Sequence, residues 1–425
     1  MSRAATLEKL YSRRRFGIRP GVGRVTELLG RLGNPQNNFR SIHVVGTNGK
    51  GSTAAFLSSI LSAAGHRTGF FSSPHLVRFN ERFRIDASEI DDSRLTPLLE
   101  AVLSCAPPDA TFFEITTALA AACFAESGVE IAVLEAGMGG ISDATAALPG
   151  IMTVLTPVSF DHCNYLGATL EAIATEKCRI AEPGTPLITC TQPREAEQAI
   201  ARQCLANGNH LLKVGETLRT EWMNDGTLNY HGLDRILSAL TPGIPGRYQA
   251  GNAALALAAA ETLAGLGIAT DEAAMVAGIR SARWPGRMER VEGSPPLLLD
   301  GAHNPAGAAA LAAELAAAGY QRLFMVIGIM EDKDAAELLA PLAPFAARAF
   351  AVPPAVERAM DPAELAGRLG SLGVETTPCG SVAEGLAAAR SASSPGDLVL
   401  VCGSLFTVGE VKTLLEGCSY TGVRG

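Results

Sequence analysis

The stretch Gly46-Thr47-Asn48-Gly49-Lys50-Gly51-Ser52-Thr53 contains the residue types that bind a triphosphate. Backbone amides of a glycine-rich turn and a helix N-terminus bind phosphate oxygens, and a nearby lysine reaches the β- and γ-phosphates. Lys50 is the candidate for that contact, and Ser52 or Thr53 can ligate Mg²⁺ or cap the following helix. Gly51 separates the lysine from the hydroxyls, which is not the spacing of the standard phosphate loop. The segment predicts an ATP site, with a plain glycine-rich turn as the alternative.

Three further side chains that can ligate a metal ion each follow a short apolar run with strand character. They are Ser73, Glu135 and His162. The carboxyl ends of parallel strands meet at one edge of a sheet, where ligands bind. Magnesium prefers oxygen donors beside the phosphates that it neutralises. Glu135 is therefore predicted as a magnesium ligand, while a Ser-Pro turn at Ser73 and a structural role for His162 are the alternatives.

Lys177 lies on the apolar stripe of a predicted helix that begins near Thr169. The stripe repeats at the i, i+3, i+4 spacing of a buried helix face. A buried lysine must be paired, neutralised or chemically changed. The alternative is a lysine whose stem lies on the apolar face while its amine reaches solvent.

Glu114 and Asn252 each have a structural interpretation as well as a functional one. Thr111 and Glu114 have the spacing of a capping box at the start of an alanine-rich helix. Asn252 stands at the start of another alanine-rich helix, where it can cap the helix or contact a base edge. The residues alone leave both questions open.

The composition excludes several classes of protein. A net charge of −8 and a pI near 5.5 argue against a nucleic-acid binder held by phosphate contacts. The nine cysteines are scattered without a CxxC pair, which favours reduced thiols over a disulfide framework. No secretion signal and no apolar run of about 20 residues is visible. We expect a cytoplasmic protein without nucleic-acid or membrane partners.

The chain is too long for one ordinary core, so two or three domains are expected from its 425 residues. Strand-like runs alternate with alanine-rich helical stretches, which is typical of α/β architecture with mostly parallel sheets. A boundary is predicted near Trp284-Pro285-Gly286-Arg287. We therefore predict an ATP-binding domain over residues 1–286 and a smaller α/β domain over residues 287–425. Residues 205–235 are expected to form peripheral hairpins.

A set of segments in a fixed order carries a resemblance to a known family. The segments are Gly46-Thr47-Asn48-Gly49-Lys50-Gly51-Ser52, Ser73-Pro74-His75-Leu76, Phe112-Phe113-Glu114, Leu134-Glu135 with Gly139-Gly140, Asp161-His162 with Leu166-Gly167, Glu176-Lys177, Trp284-Pro285-Gly286-Arg287, Asp300-Gly301-Ala302-His303-Asn304-Pro305, Asp332-Lys333-Asp334 and Gly403-Ser404. Together they resemble folylpolyglutamate synthase/dihydrofolate synthase, of the Mur ligase superfamily. The resemblance covers about residues 15–415.

The resemblance implies a two-domain Mur-ligase-like fold, with an N-terminal P-loop ATPase domain and a smaller C-terminal Rossmann-like domain. The active site would lie in the cleft between them. The implied ligands of one Mg²⁺ are Ser73, Glu135 and His162, and a carbamylated Lys177 is the implied ligand of a second Mg²⁺. The implied ATP contacts outside the phosphate loop are Asn252, Arg287 and Asp300, with His303 near the phosphoryl group and the incoming amine. The catalytic set would then be Lys50, Lys177, Asp300 and His303.

The resemblance also implies where the pteroate acceptor binds. Its border would be formed by Gly21, Phe113, Ser142, Asp143 and Ala144. Two positions depart from the family pattern, since Ile141 and Ala146 stand where arginine and asparagine are usual. A third, Tyr248, stands where histidine is common.

The resemblance implies an ATP-dependent ligase that joins L-glutamate to a folate carboxylate through an acyl phosphate. The expected acceptors are reduced folates and dihydropteroate, and the expected state is a monomer. One alternative is another Mur-type amide ligase, although only 45 residues precede Gly46, fewer than an additional N-terminal domain needs. A second alternative is a catalytically silent nucleotide-binding regulator. Retention of Lys50, Glu135, His162 and Asp300 argues against it.

Overall fold

An eight-stranded sheet carries the phosphate loop in the computed structural model, which describes residues 2–13, 17, 19–215 and 218–417. Its strand order is β4-β3-β2-β5-β1-β6-β7-β8, and only the pairs β2/β3 and β3/β4 are antiparallel. The strands are β1 Arg40–Val45, β2 Thr68–Phe71, β3 Phe83–Ile85, β4 Ser88–Glu89, β5 Ile131–Glu135, β6 Gly150–Leu155, β7 Pro186–Cys190 and β8 His210–Val214. The strands predicted before Ser73, Glu135 and His162 are therefore β2, β5 and β6, which lie near the middle of this sheet.

Helices cover both faces of this sheet. They are α1 Arg3–Tyr11, α2 Gly23–Arg31, α3 Lys50–Ala63, α4 Asp92–Cys105, α5 Phe112–Glu126, α6 Cys163–Leu166, α7 Leu170–Cys178, α8 Arg194–Asn207, α9 Gln249–Ala264 and α10 Glu272–Ser281. In β5, Ile131 and Val133 join the core under α3 and α9, while Ala132 and Leu134 join the core under α5. Successive side chains of a strand point to opposite faces, so a strand buried on both faces is apolar throughout.

Residues 205–235 differ in part from the predicted hairpins. β8 joins the large sheet as a parallel edge strand beside β7. A separate antiparallel sheet follows, with strands β9 Arg219–Trp222, β10 Leu228–His231 and β11 Ile236–Leu240. Its buried residues, such as Tyr230 and Leu237, pack into the core of α9. The polar pattern of this stretch concealed β8 because an edge strand buries little of its length.

A six-stranded sheet follows the predicted boundary. Its order is β12-β13-β17-β14-β15-β16, with only β12 antiparallel. The strands are β12 Glu289–Val291, β13 Leu297–Leu299, β14 Leu323–Ile327, β15 Ala346–Ala351, β16 Thr376–Pro378 and β17 Leu398–Cys402. The helices are α11 Pro305–Ala317, α12 Ala335–Leu339, α13 Pro362–Ser371, α14 Val382–Ala392 and α15 Leu405–Glu416. The four strands expected in this half are all present. Among the described residues, no helix is both long and apolar enough to cross a membrane.

Two helix starts differ from the sequence expectation. Helix α3 begins at Lys50, with Gly49 in the left-handed conformation at φ 85° as its N-cap. Ser52 and Thr53 thus lie inside the first turn and do not cap it. Asn252 likewise lies inside α9, whose N-cap is Tyr248. In α3 the reason is Gly49, since a residue without Cβ can turn the chain directly into the helix.

The capping box at α5 is confirmed. The Thr111 hydroxyl accepts the Glu114 N–H at 3.3 Å, and Glu114 Oε2 accepts the Thr111 N–H at 2.7 Å. Arg24 adds an ion pair to Glu114, with Nη2 at 2.8 Å from Oε1. Glu114 thus anchors the start of α5 and the start of α2 together.

Replacement of Thr111 by valine is expected to lower the free energy of unfolding by about 1 kcal/mol, because the Glu114 N–H loses its acceptor. Thr111→Ser keeps the hydroxyl and is expected to match the unchanged protein. Urea unfolding followed by circular dichroism measures both variants. Equal losses in the two variants would contradict the capping role.

Candidate active site

Glycines of the phosphate loop pack so closely against neighbouring groups that a side chain would not fit. A Cβ at Gly46, where φ is 144°, would overlap the Thr156 hydroxyl at the end of β6. A Cβ at Gly49 would overlap the amide oxygen of Asn252 in α9. The loop is therefore held between the end of β6 and α9, with no side chain at either glycine.

Gly51 explains the unusual spacing of the loop. A Cβ there would lie 2.6 Å from Nε1 and 2.8 Å from Cε2 of Trp284. The Trp284 ring also packs on Phe70 of β2, with centroids 5.3 Å apart. The residue between Lys50 and the hydroxyls lacks a side chain because an indole from the segment before β12 packs against it.

Lys50 is held beside the loop that carries it. Its Nζ donates to the carbonyl oxygens of Gly46 at 3.3 Å and Thr47 at 3.1 Å. Burial lowers the pKa of Lys50, and the charges of Glu135 and Asp161 partly oppose that change. The amine thus lies within reach of the β- and γ-phosphate positions that such a loop creates.

Glu135 and Ser73 are adjacent at the ends of β5 and β2. The Ser73 N–H donates to Glu135 Oε2 at 3.1 Å, and both residues border one cavity. Burial raises the pKa of Glu135, while Lys50 lowers it. A buried carboxylate and a hydroxyl are oxygen donors of the kind that Mg²⁺ binds, and a cation there would favour the ionised carboxylate. These two residues fit the predicted metal.

Lys177 is buried, so its amine does not reach solvent. The residue is 2% exposed, and its Nζ donates to the Met138 carbonyl at 2.6 Å. Burial, followed by the charge of Lys50, lowers the pKa of Lys177 to about 7. An appreciable share of this amine is therefore uncharged and nucleophilic near neutral pH.

His162 lies in the loop after β6, beside Asp161. It is the N-cap of α6 at φ 52°, and its Nε2 lies 3.9 Å from Asp161 Oδ1. Burial is the main reason that the pKa of His162 falls to about 4, so the ring is neutral near pH 7. Among the described residues, no group of three or more His, Cys, Asp or Glu side chains converges on one point. The structure therefore brings Ser73 and Glu135 into contact, and His162 stays a predicted metal ligand.

Asp161 connects the loop after β6 with the second sheet. Its Oδ1 accepts from Lys333 Nζ at 2.7 Å, and its Oδ2 accepts from Asn304 Nδ2 at 3.3 Å. Burial alone would raise the pKa of Asp161, but the charges of His162 and Lys333 hold it well below its usual range. Asn304 and Asn48 also exchange amide hydrogen bonds of 2.9 and 3.1 Å. The phosphate loop is thereby tied to the segment after β13.

Asp300 is held by three donors. Its Oδ2 accepts from the Tyr248 hydroxyl at 3.0 Å and the Met288 N–H at 2.9 Å, and its Oδ1 accepts from the Ala302 N–H at 2.9 Å. The hydroxyl of Tyr248 therefore joins α9 to the end of β13. Asp300 is 4% exposed, so its orientation is determined by these contacts.

Three other residues predicted to contact the substrates are His303, Arg287 and Asn252. His303 Nδ1 lies 2.8 Å from the Gly301 carbonyl, and burial lowers its pKa to about 4. Arg287 Nη1 donates to the Gly286 carbonyl at 3.0 Å and borders the cavity of Ser73 and Glu135. Asn252 Nδ2 donates to Gln249 Oε1 at 2.7 Å, which leaves its amide oxygen on the side of Gly49.

The predicted acceptor residues are connected by hydrogen bonds. The Gly21 N–H donates to the Ser142 carbonyl at 3.1 Å. Asp143 Oδ2 accepts the Met138 N–H at 3.0 Å, and Ala144 begins the short helical turn that follows. The Phe113 ring packs 5.9 Å from that of Phe71 and lies against Gly137.

Glu176 holds the acceptor loop against α7. Its Oε1 accepts both the N–H of Ser142, at 3.0 Å, and the Ser142 hydroxyl. Its backbone carbonyl accepts the Ile141 N–H at 3.3 Å. A Cβ at Gly140 would overlap this turn of α7. The residue beside Lys177 therefore fixes the loop on which Ser142 lies.

Sequence reasoning did not assign site roles to Glu176, Tyr248, Trp284 or Lys333. Glu176, Trp284 and Lys333 lie within segments that carried the family resemblance, and Tyr248 is a position where histidine is common. For Lys333 a signal was available, because it follows the end of β14. For the others the signal is a contact between distant segments, which a single sequence does not contain.

Two family descriptions match the chain. The Mur ligase middle domain matches residues 44–260, and the Mur ligase glutamate ligase domain matches residues 286–405. A Bacillus subtilis dihydrofolate synthase/folylpolyglutamate synthase is 36% identical, over 76% of this chain and 79% of that protein. A Halobacterium salinarum protein named probable bifunctional folylpolyglutamate synthase/dihydropteroate synthase is also 36% identical, over 95% of this chain. The chain spans about half the length of that protein, 50%.

A solved structure of Escherichia coli FolC in complex with DHPP and ADP has the same fold. The TM-score is 0.89 with 32% sequence identity, and the match covers 97% of this chain and 98% of that one. Agreement at this level extends to both sheets and the segment between them.

Replacement of Gly51 by alanine is expected to weaken ATP binding about 10-fold or more, because the added Cβ meets the Trp284 indole and overpacking costs about 1–3 kcal/mol. Trp284→Leu in the same chain makes room and is expected to restore much of the affinity. Calorimetric titration with ATP measures both effects.

Gly30→Ala is the control, since a Cβ at this helical glycine meets nothing within 4 Å. It is expected to leave ATP affinity unchanged. Full affinity in Gly51→Ala, or no recovery in the double variant, would show that the indole does not constrain the loop.

Proposed function

This chain belongs to the folylpolyglutamate synthase/dihydrofolate synthase branch of the Mur ligases, and we propose that it joins L-glutamate to a folate carboxylate with hydrolysis of ATP to ADP and phosphate. The observation that carries the proposal is the meeting of three parts at one cleft. They are the phosphate loop, the Glu135–Ser73 pair, and the segment Asp300-Gly301-Ala302-His303-Asn304-Pro305 tied to Asn48.

The chemistry requires activation of a carboxylate. Its negative charge repels an amine, and oxide is a poor leaving group. Transfer of the γ-phosphoryl group of ATP to the carboxylate gives an acyl phosphate, and ADP leaves. The α-amine of glutamate then attacks the acyl carbon, an amide bond forms, and phosphate leaves with the bonding electron pair. The protein must offset charge on the phosphoryl group and align three reactants.

Cations of this chain are suited to the first task. Lys50 is held at the loop that would cradle the phosphates, and Arg287 borders the same cleft from the second half of the chain. Burial of Lys50 strengthens its interaction with a phosphate, because water screens the charge less. Asn252 and Asp300 would contact the nucleotide from opposite sides.

A bound Mg²⁺ would supply charge neutralisation at the phosphates. Glu135, Ser73 and His162 would hold it, and Lys177 would hold a second Mg²⁺. A carbamylated Lys177 would carry a negative charge and oxygen donors where a free amine has neither. The buried amine with its pKa near 7 is suited to carbamylation, since the uncharged form attacks carbon dioxide.

His303 is positioned to receive a proton from the attacking amine. Its Nδ1 faces the Gly301 carbonyl at 2.8 Å and therefore carries the hydrogen. With the pKa lowered to about 4, Nε2 holds an unshared pair near pH 7. This group and Asp161 lie on the same side of the cleft, with Nε2 3.8 Å from Asp161 Oδ2.

Alignment would come from the two halves of the chain. The Asn48–Asn304 and Asp161–Lys333 contacts join the phosphate loop to the segments that follow β13 and β14. The division at residues 286 and 287 is part of this proposal, as is a monomeric protein. Gly21, Phe113 and the loop Ser142-Asp143-Ala144 would bind the acceptor, with dihydropteroate and reduced folates as substrates.

Phosphate release from ATP with Mg²⁺ and L-glutamate tests the proposal directly. We expect turnover with both dihydropteroate and tetrahydrofolate. Turnover with tetrahydrofolate alone would limit the activity to chain extension and would associate Ile141 and Ala146 with loss of the first reaction. ATP binding without phosphate release for either acceptor would overturn the ligase and favour the silent nucleotide binder.

Removal of dissolved carbon dioxide is expected to lower activity severalfold, and added bicarbonate should restore it, because carbamylation of Lys177 is reversible. Lys177→Met is expected to be inactive at every bicarbonate concentration. A coupled phosphate assay in degassed buffer measures this. Full activity without bicarbonate, together with an unmodified Lys177 in the intact-protein mass spectrum, would exclude carbamylation.

A further inference from the structure

A small cavity beside the metal-site residues contains an arginine that neither the mechanism nor the family resemblance uses. Its volume is about 30 Å³, which accommodates about two water-sized groups, the size of one carboxylate. The polar side chains around it include Ser73, Glu135, Arg84 and Arg287. Arg84 comes from β3, whereas Arg287 comes from the segment before β12, so the cavity lies between the two halves.

Arg84 has no anionic partner in the described part of the chain. Its Nε is buried and makes no hydrogen bond there, and its guanidinium lies 5.2 Å from the centre of the Trp284 ring. Buried donors without acceptors are rare in folded proteins, because they lose their hydrogen bonds with water. Burial also lowers the pKa of Arg84. Because Arg84 borders the cavity, an oxyanion there would give its guanidinium a charged partner.

The nearby carboxylates are already engaged. Glu81 accepts the backbone N–H groups of Leu76, Val77 and Arg78 at 2.7, 2.9 and 2.6 Å. Glu89 pairs with Arg78 at 3.0 Å. Glu135 accepts the Ser73 N–H. Arg84 therefore retains a positive charge that these groups do not neutralise at contact.

The walls of the cavity fit an amino-acid chain better than a phosphate. Apolar groups of Pro74, Leu76, Trp284, Pro285 and Leu405 border it, and none of its described lining residues belongs to the phosphate loop. Phosphates bind where the backbone amides of a glycine-rich loop and its lysine converge. A carboxylate on a short methylene chain matches both the guanidinium groups and the apolar walls.

We propose that Arg84, with Arg287 opposite, binds a carboxylate of a glutamyl group that does not react. This inference rests on the proposed ligase function and adds a specificity-determining residue to it. The carboxylate has two sources, the incoming L-glutamate or the glutamyl tail of a folate acceptor. Dihydropteroate lacks that tail, so the two sources are distinguishable by choice of acceptor.

The test uses Arg84→Met in the full chain, with Arg84→Lys as the variant that keeps a charge. Arg67→Met is the matched control, because Arg67 pairs with Asp86 beside the other end of β2. Steady-state phosphate release gives KM for L-glutamate, ATP, dihydropteroate and tetrahydrofolate. Loss of a charge-assisted hydrogen bond predicts a KM rise of about 10- to 100-fold for one carboxylate substrate, with ATP unchanged.

The outcomes separate the sources. A KM rise for L-glutamate with both acceptors assigns the cavity to the incoming amino acid. A KM rise for tetrahydrofolate but not dihydropteroate assigns it to the folate tail. In either case we expect Arg84→Lys to fall between Arg84→Met and the unchanged protein. KM values within about twofold for every substrate, or an effect on ATP alone, would overturn the proposal.

A binding measurement separates this inference from the ligase function. Calorimetric titration of the nucleotide-free protein with L-glutamate and with 4-aminobenzoyl-L-glutamate is expected to show saturable binding of at least one, lost in Arg84→Met and kept in Arg67→Met. Such binding without any turnover would support the cavity and contradict the ligase. Turnover in the unchanged protein, with equal binding by Arg84→Met, would support the ligase and contradict the role of Arg84 in the cavity.

Discussion

The phosphate loop depends on close packing by three groups from separate parts of the chain. Thr156 at the end of β6, Asn252 in α9 and Trp284 before β12 occupy the places of side chains at Gly46, Gly49 and Gly51. Each contact requires that its own element be in position. The loop therefore acquires its shape only when both the large sheet and the segment between the sheets have folded.

The cleft is rich in positive charge, although the whole chain carries a net charge of −8. Lys50, Lys177, Arg84, Arg287 and Lys333 lie in or beside it, and the pKa values of Lys50 and Lys177 are lowered because burial removes water from their amines. The facing carboxylates are Glu135 and Asp161. This excess of cationic side chains over carboxylates suits the proposed substrates, since ATP, glutamate and a folate carboxylate are all negatively charged.

The sequence predicted the order of the parallel elements because glycine-rich turns and apolar runs are local features. Ser73 and Glu135 were expected together, and they are adjacent because β2 and β5 are neighbours in the sheet. The cap expected from Ser52 or Thr53 was wrong, since Gly49 is the N-cap of α3. Of the two roles left open for Asn252, the structure excludes the cap, because Tyr248 precedes α9 as its N-cap. The place of Trp284 against Gly51 was beyond prediction, because it is a contact between distant segments.

The loop after β5 connects the residues proposed to bind the acceptor with Lys177, a proposed metal ligand. The Met138 carbonyl accepts a hydrogen bond from the Lys177 amine. The N–H groups of Ser142 and Ile141 donate to Glu176, which directly precedes Lys177 in α7. A rotation of the last turn of α7 would therefore move both the Lys177 amine and the loop beside Gly21. Carbamylation of Lys177 would alter its hydrogen bond to the Met138 carbonyl. The proposed modification on the metal side would therefore change the position of the loop that is proposed to bind the acceptor. In the proposed reaction, this connection would let one helix turn align the acceptor carboxylate with the phosphoryl group.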